Sequence, residues 1–439
     1  MDLTAQWVGV AAITVFVLAY SLVITEEYTS LRKSKAVILG AGIIWAMIGY
    51  RYAQGGIVHE AEEAVQEFVL EFAELFLFLL TAMTYVNSMS ERNVFNALRD
   101  WLVSRNLTYR ALFWITGSLA FLLSPLIDNL TTALVMCAVV LAVGRGNSRF
   151  ISVACINIVV GANAGGAFSP FGDITTLMVW QRGIVEFQTF FALLVPSLVN
   201  FLLPAFVMSF AVPAEQASGS MERTRMKRGA KRIMFLFACT ITTAVCFHNF
   251  LSLPAFLGMM TGLAYLKFFG YYLRITHIPT PTDDPQYGEA GDVVPFDSFR
   301  EVERVEWDTL LFFFGVIMCV GGLSFIGYLE HVSHYIYGEL GPTTANVLVG
   351  VMSAVVDNIP VMVAVLEMHP TMDMQQWLLV TLTAGVGGSM LSIGSAAGVA
   401  LMGQARGEYT FFRHLKWTPV IALGYAASIW VHMLINKGI

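Results

Sequence analysis

Residues 111–144 read ALFWITGSLAFLLSPLIDNLTTALVMCAVVLAVG, with Asp128 as the only charge. As one helix the stretch would be about 51 Å long at 1.5 Å per residue. That is too long for one crossing of a hydrocarbon slab roughly 30 Å thick, and too short for two crossings and a turn. A re-entrant hairpin, entering to mid-depth and returning, fits the length. Residues 340–366 repeat the pattern, with Asp357 as their only charge.

Such segments need a bilayer as solvent, and the composition agrees. The 439 residues are 56% hydrophobic and only 13% charged, and the mean hydropathy is +0.67. A soluble core could not hide that much apolar surface. Beyond the two hairpins, ten full crossings are expected near 7–24, 36–52, 72–88, 151–180, 187–212, 233–251, 255–273, 307–327, 374–403 and 417–435. No soluble catalytic domain fits between them, so an enzyme is not expected. The first stretch lacks the basic leader and small-residue cleavage site of a secretory signal and is read as a span. Cys137, Cys155, Cys239, Cys246 and Cys319 lie in apolar segments without metal or disulfide spacing, so they read as small buried side chains.

Basic residues test the hairpin, because a returning hairpin leaves its two flanking connections on the same side. With the N-terminus outside, the connections at 25–35, 89–110, 144–150, 211–232, 267–306 and 404–416 lie inside and hold 22 of the 25 Lys and Arg residues. Only Arg51, Arg182 and Lys437 fall outside. If 111–144 crossed fully, Arg145, Arg149 and the cluster from Arg223 to Arg232 would change compartment. Residues 91–106 and 330–341 read as interfacial helices leading into the hairpins. The Pro-rich, acidic stretch from His277 to Glu306 reads as a linker.

The chain contains an internal repeat. Ser124-Pro125-Leu126-Ile127-Asp128-Asn129 matches Ser353-Ala354-Val355-Val356-Asp357-Asn358, both S-x-x-x-D-N. Downstream, Gly165-Gly166 through Gly172-Asp173 matches Gly387-Gly388 through Gly394-Ser395, each interrupting an apolar span. The expected organisation is therefore a first repeat at 1–212 with hairpin 111–144 and broken helix 151–180, then a basic linker at 213–232. A second repeat follows at 233–439, with hairpin 340–366 and broken helix 374–403. Five crossings per half is an odd number, so the second copy sits upside down. Inverted repeats with broken helices point to a midplane substrate site, because unwound backbone needs a ligand, water or protein to satisfy it.

At that convergence the repeat places Asp128, Asn129, Asn163, Ser169, Asp173, Thr175, Thr176, Ser353, Asp357, Asn358, Ser392 and Ser395. All offer oxygen, and the reading expects no Lys, Arg or His beside them. Carboxylates stranded in the membrane without a counter-ion must be protonated or hold a cation. Oxygen ligands suit a hard ion such as sodium. A proton and an ion competing for one site is a mechanism of exchange. The plainer reading is that Asp128, Asp173 and Asp357 cap helices. Asn129, Asn358 and Ser395 stand against it, since neutral groups would cap without the burial cost. Thr175, Thr176, Ser392 and Ser395 also fit a role in satisfying freed backbone. Glu71, Glu74 and Asp308 read as solvated span ends, and His248 and His432 as interfacial.

The motifs SPLIDNLTTALVM (124–136), GANAGGAFSPFGDITTLM (161–178), SAVVDNIPVMVAV (353–365) and GGSMLSIGSAAGVALMG (387–403) resemble the ion transporter superfamily, and within it the NhaD-type sodium/proton antiporters. The resemblance covers nearly the whole chain. The composition and the basic-residue count lead to the expectation of an all-α polytopic protein of a bacterial inner membrane with both termini periplasmic. The resemblance agrees with the inverted repeats, hairpins and broken helices. It implies sodium or lithium exchange for protons, elevator-like movement and a homodimer. Ion or proton binding is implied for Asp128, Asn129, Asn163, Asp173, Thr175, Thr176, Ser353, Asp357, Asn358, Ser392 and Ser395. No cofactor, nucleic acid or soluble partner is implied, only the lipid bilayer. The dicarboxylate carriers of the superfamily have Ser-Asn-Thr at their hairpin tips, where this chain has Asp-Asn. The chain begins almost at the first repeat, so a leading helix known in some relatives is expected to be missing. Two alternatives remain: a carrier of arsenite or a dicarboxylate with the same fold, which three acids would repel unless sodium came first, and an intramembrane aspartyl protease, whose paired motifs Gly172-Asp173 only half matches.

Overall fold

Helix boundaries follow the capping side chains. Thr108 accepts from the amide of Ala111, Asn147 from Phe150, Asp373 from Gln376 and Ser395 from Gly398, so each opens a helix by satisfying an otherwise orphaned N–H. The computed structural model describes residues 3–439 except 30, 106, 145, 214, 217–223 and 277–295. Of the described residues, 79% are helical and none lies in a β-strand. Nine of the described helices are long and apolar enough to cross a membrane. This is an all-α polytopic membrane protein.

Counting helices of eight residues or more, the first half runs α1 Trp7–Ile24, α2 Lys33–Gly55, α3 Val58–Glu91, α4 Val94–Val103, α5 Tyr109–Ile127, α6 Asn129–Val143, α7 Ser148–Gly166, α8 Ile174–Gln181 and α9 Leu194–Ser209. The second half runs α10 Ala230–Leu251, α11 Ala255–Ile275, α12 Trp307–Ile326, α13 Pro342–Ser353, α14 Asn358–Glu367, α15 Met374–Gly387, α16 Ala396–Gln404 and α17 Thr418–Ile435. All ten expected crossings carry helix, and those at 151–180 and 374–403 are interrupted after Gly166 and Gly387. Helix α4 occupies the first expected interfacial stretch, and the second is helical from Tyr328 to Glu339. Most of the Pro-rich linker lies outside the described residues, as do Arg145 and Arg223.

Two differences from the sequence reading concern length. Helix α3 has 34 residues, far more than the expected 72–88, because its first turns carry Glu60, Glu62, Glu63 and Glu67, which lower the hydropathy without breaking the helix. Helix α5 starts at Tyr109 and has 19 residues, long enough to cross by itself. Its partner α6 has 15.

Helices α1–α3 pack with α10–α12, whereas α5–α9 pack with α13–α17. The centre of the second group is α7, whose apolar window is 94% buried, against 72% for α12 and 22–44% for the other seven described spanning helices. Glycines permit this closeness. A Cβ on Gly165 would enter the backbone of Phe121 in α5, and one on Gly387 would enter that of Gly350 in α13.

Candidate functional site

The two S-x-x-x-D-N motifs produce the same local contacts. Ser124 Oγ donates to the carbonyl of Ala162 (2.6 Å), and Ser353 Oγ donates to that of Ala384 (2.8 Å). Each serine thus ties the end of its helix to the strand-free approach of the following helix break. Gly172 and Gly394 close the arrangement, lying against the backbone of Ser124 and Ser353 respectively. The helix breaks and the Asp-Asn turns are therefore brought together in both halves.

The three aspartates have different surroundings. Asp128 caps α6, accepting from the amide (2.7 Å) and hydroxyl (2.9 Å) of Thr131. Its φ of 97° and ψ of 158° fall in a region normally reserved for glycine. Asp173 caps α8 through the Thr175 amide (3.1 Å) and also accepts from Asn358 Nδ2, at 2.9 Å to Oδ2 and 3.2 Å to Oδ1. Asp357 makes no side-chain cap. Its Oδ2 faces Lys33 Nζ at 3.6 Å, and its buried Oδ1 has no hydrogen-bond partner among the described residues. Capping thus describes Asp128 and Asp173 but not Asp357.

The asparagines connect the halves. Asn358 reaches Asp173, and Asn129 donates to Asn163 Oδ1 (3.2 Å), whose own amide donates to Ser395 Oγ (3.0 Å). Each turn asparagine is linked in this way to the cap of the helix break in the other half.

Asp128, Asn129, Asp173, Asp357 and Asn358 line one cavity, together with Thr131, Glu306 and Lys33. Asn163, Thr175, Thr176, Ser353, Ser392 and Ser395 stand behind the lining. Ser353 and Thr176 donate to backbone carbonyls, of Ala384 and Gly166, while the buried Ser392 hydroxyl has no partner. Ser169 donates to the Pro125 carbonyl (2.9 Å). Among the described residues no three Asp, Glu, His or Cys side chains stand close enough to share one metal ion. The three aspartates share a cavity without forming a three-carboxylate cage.

The expectation of no basic neighbour is corrected by Lys33. Its partner Asp357 lies far along the sequence, whereas Lys33 itself belongs to the inside connection 25–35. Asp128, Asp173, Asp357 and Glu306 stand against this one lysine, so carboxylates still outnumber basic groups among the described lining residues. Glu306, read as the end of a linker, also belongs to the cavity.

Two further carboxylates, expected to be solvated span ends, are instead paired within the protein. Glu71 accepts from Arg182 (2.6 Å), which also binds Glu367, and Asp308 accepts from Ser34 Oγ. His432 is buried against the Gln375 carbonyl (3.0 Å) and Asn436. His248 lies edge-on to Trp180.

The family model for citrate transporters matches residues 7–385. The Na⁺/H⁺ antiporter NhaD of Vibrio cholerae is 58% identical, over 99% of this chain and 94% of its own. NhaD of Alkalimonas amylolytica is 57% identical, over 99% and 92%. Sodium/proton antiporter 1 of Arabidopsis thaliana is 28% identical, over 98% of this chain and 74% of its own. With identity of this depth along nearly its whole length, the chain belongs to the NhaD family of Na⁺/H⁺ antiporters.

Proposed function

We propose that this protein exchanges sodium or lithium for protons across a bacterial inner membrane, by competition of ion and proton for Asp128, Asp173 and Asp357. The observation that carries the reading is the single cavity lined by all three carboxylates, with Lys33 as the only basic group among its described lining residues. Burial makes an ionised carboxylate without a partner costly, so each must take up a cation or a proton. The open oxygen of Asp357 and the oxygens of Asn129 and Asn358 supply hard ligands for the ion. Asn163, Thr176, Ser353 and Ser395 hold the lining residues and the helix breaks in place, and Thr175 and Ser392 complete the ion's ligand set.

The two halves, 1–212 and 233–439, act as inverted repeats joined by the basic linker 213–232, with 111–144 and 340–366 as re-entrant hairpins. The packing of α5–α9 mainly with α13–α17, touching the other group chiefly where α14 meets α12, supports an elevator in which this group carries the ion against α1–α3 and α10–α12. The assembly in this reading is a homodimer. Lys33, Asn87 and Glu306 border connections assigned to the inside, so the cavity opens to the cytoplasm and both termini lie in the periplasm.

The test uses everted vesicles energised to an acid interior. Sodium and lithium should dissipate the pH gradient, and Asp128→Asn, Asp173→Asn and Asp357→Asn should each abolish the response while the protein still inserts. Full activity in all three variants, or dissipation by potassium alone, refutes the assignment. Dissipation by arsenite or succinate instead would favour an anion carrier.

A further inference from the structure

Lys33 is the first residue of α2, and its position is built rather than free. Its amide donates to Glu26 (3.3 Å), and the next residue, Ser34, donates to Asp308. Its ammonium lies 3.6 Å from Asp357 Oδ2 and 4.4 Å from the centre of the Phe312 ring. The Lys33 and Asp357 side chains are 19% and 16% exposed, so water screens the pair only in part. Asp357 is also the one aspartate of the three that receives no hydrogen bond from its own helix. Its second oxygen is buried and has no hydrogen-bond partner among the described residues. The carboxylate is thus answered by one charge on a flexible stem.

An ammonium and a sodium ion place the same demand on a carboxylate, and two positive charges within about 4 Å of each other repel strongly where water is scarce. We infer that Lys33 is a tethered counter-cation of Asp357, holding the carboxylate while sodium is absent and yielding it when sodium binds. The inference rests on the reading of Asp357 as an ion ligand. Lysine suits the role because its ammonium is a compact point charge that can swing away, whereas arginine's planar fork would grip both oxygens. The pair also spans the two packing groups, since α2 packs on α12 and Asp357 opens α14. Sodium binding therefore releases an ionic tie between them.

The test is binding of radioactive sodium to the purified full-length protein at one fixed alkaline pH. Lys33→Gln should tighten sodium binding roughly tenfold, and Lys33→Arg should leave it unchanged or weaken it. In an Asp357→Asn background, Lys33→Gln should change nothing. Lys33→Met keeps the stem over Phe312 and carries the same expectation where Lys33→Gln does not fold. Unchanged or weaker binding by the neutral variants, beside weakened binding by Asp357→Asn, overturns the role of Lys33 alone. Undiminished binding by Asp357→Asn removes the site reading, and the inference with it.

Discussion

The side-chain amide of Asn358 donates to both oxygens of Asp173, joining the second Asp-Asn turn to the first helix break across 185 residues of sequence. One group thereby positions the carboxylate from the opposite half of the chain.

Asn358→Ala should weaken sodium binding about tenfold, since a hydrogen bond to a charged group is worth about 1.5–3 kcal/mol and part of it is recovered from water. Asn129→Ala should cost less, because Asn129 reaches Ser395 only through Asn163. Equal losses measured by sodium binding would contradict this ranking.

Asp128 combines a cap with a strained backbone. Asp128→Gly removes the cap, worth about 0.5–2 kcal/mol, and also relieves strain of about 1–3 kcal/mol. Asp128→Ala loses the cap and keeps the strain. Thermal unfolding should therefore leave the glycine variant near the wild type and lower the alanine variant, while both fail to exchange ions.

Gly165 and Gly387 meet neighbouring backbone, which cannot move aside as a side chain can. Alanine at either should cost at least about 1–3 kcal/mol through overpacking. Gly49, in α2, has open space where a Cβ would go, so Gly49→Ala should be neutral or stabilising by up to about 1 kcal/mol. Melting temperatures of the three variants check the contrast.

His414 lies in the short helix Phe411–Leu415 connecting α16 to α17, bonded to the Ser389 carbonyl (2.9 Å) and the Tyr409 hydroxyl (2.7 Å). Burial pushes its pKa down from 6.5 to about 4. The folded state thus binds its proton less readily than the unfolded state, and stability is lost as pH falls from about 6.5 toward 4. His414→Gln should flatten the dependence of melting temperature on pH across that window.

The parts legible in the sequence were those set by short-range chemistry. Two S-x-x-x-D-N motifs and two Gly-Gly breaks mark where helices must end, and α5/α6, α13/α14, α7/α8 and α15/α16 break there. The pairing of ions was not legible. Lys33 with Asp357, and Arg182 with Glu71 and Glu367, are choices made by tertiary packing between distant helices, and no local pattern announces them. Helix α3 was underestimated because its acidic first turns look like a connection to any measure of hydropathy, although Glu is a good helix former.

The central claim is that sodium and protons compete for the same buried carboxylates. It is tested most directly by adding sodium to the purified protein in a weakly buffered solution and recording pH. The account predicts that sodium releases protons, that potassium does not, and that the release is lost in Asp173→Asn. Sodium binding with no proton release at any pH at which the protein exchanges ions would contradict it.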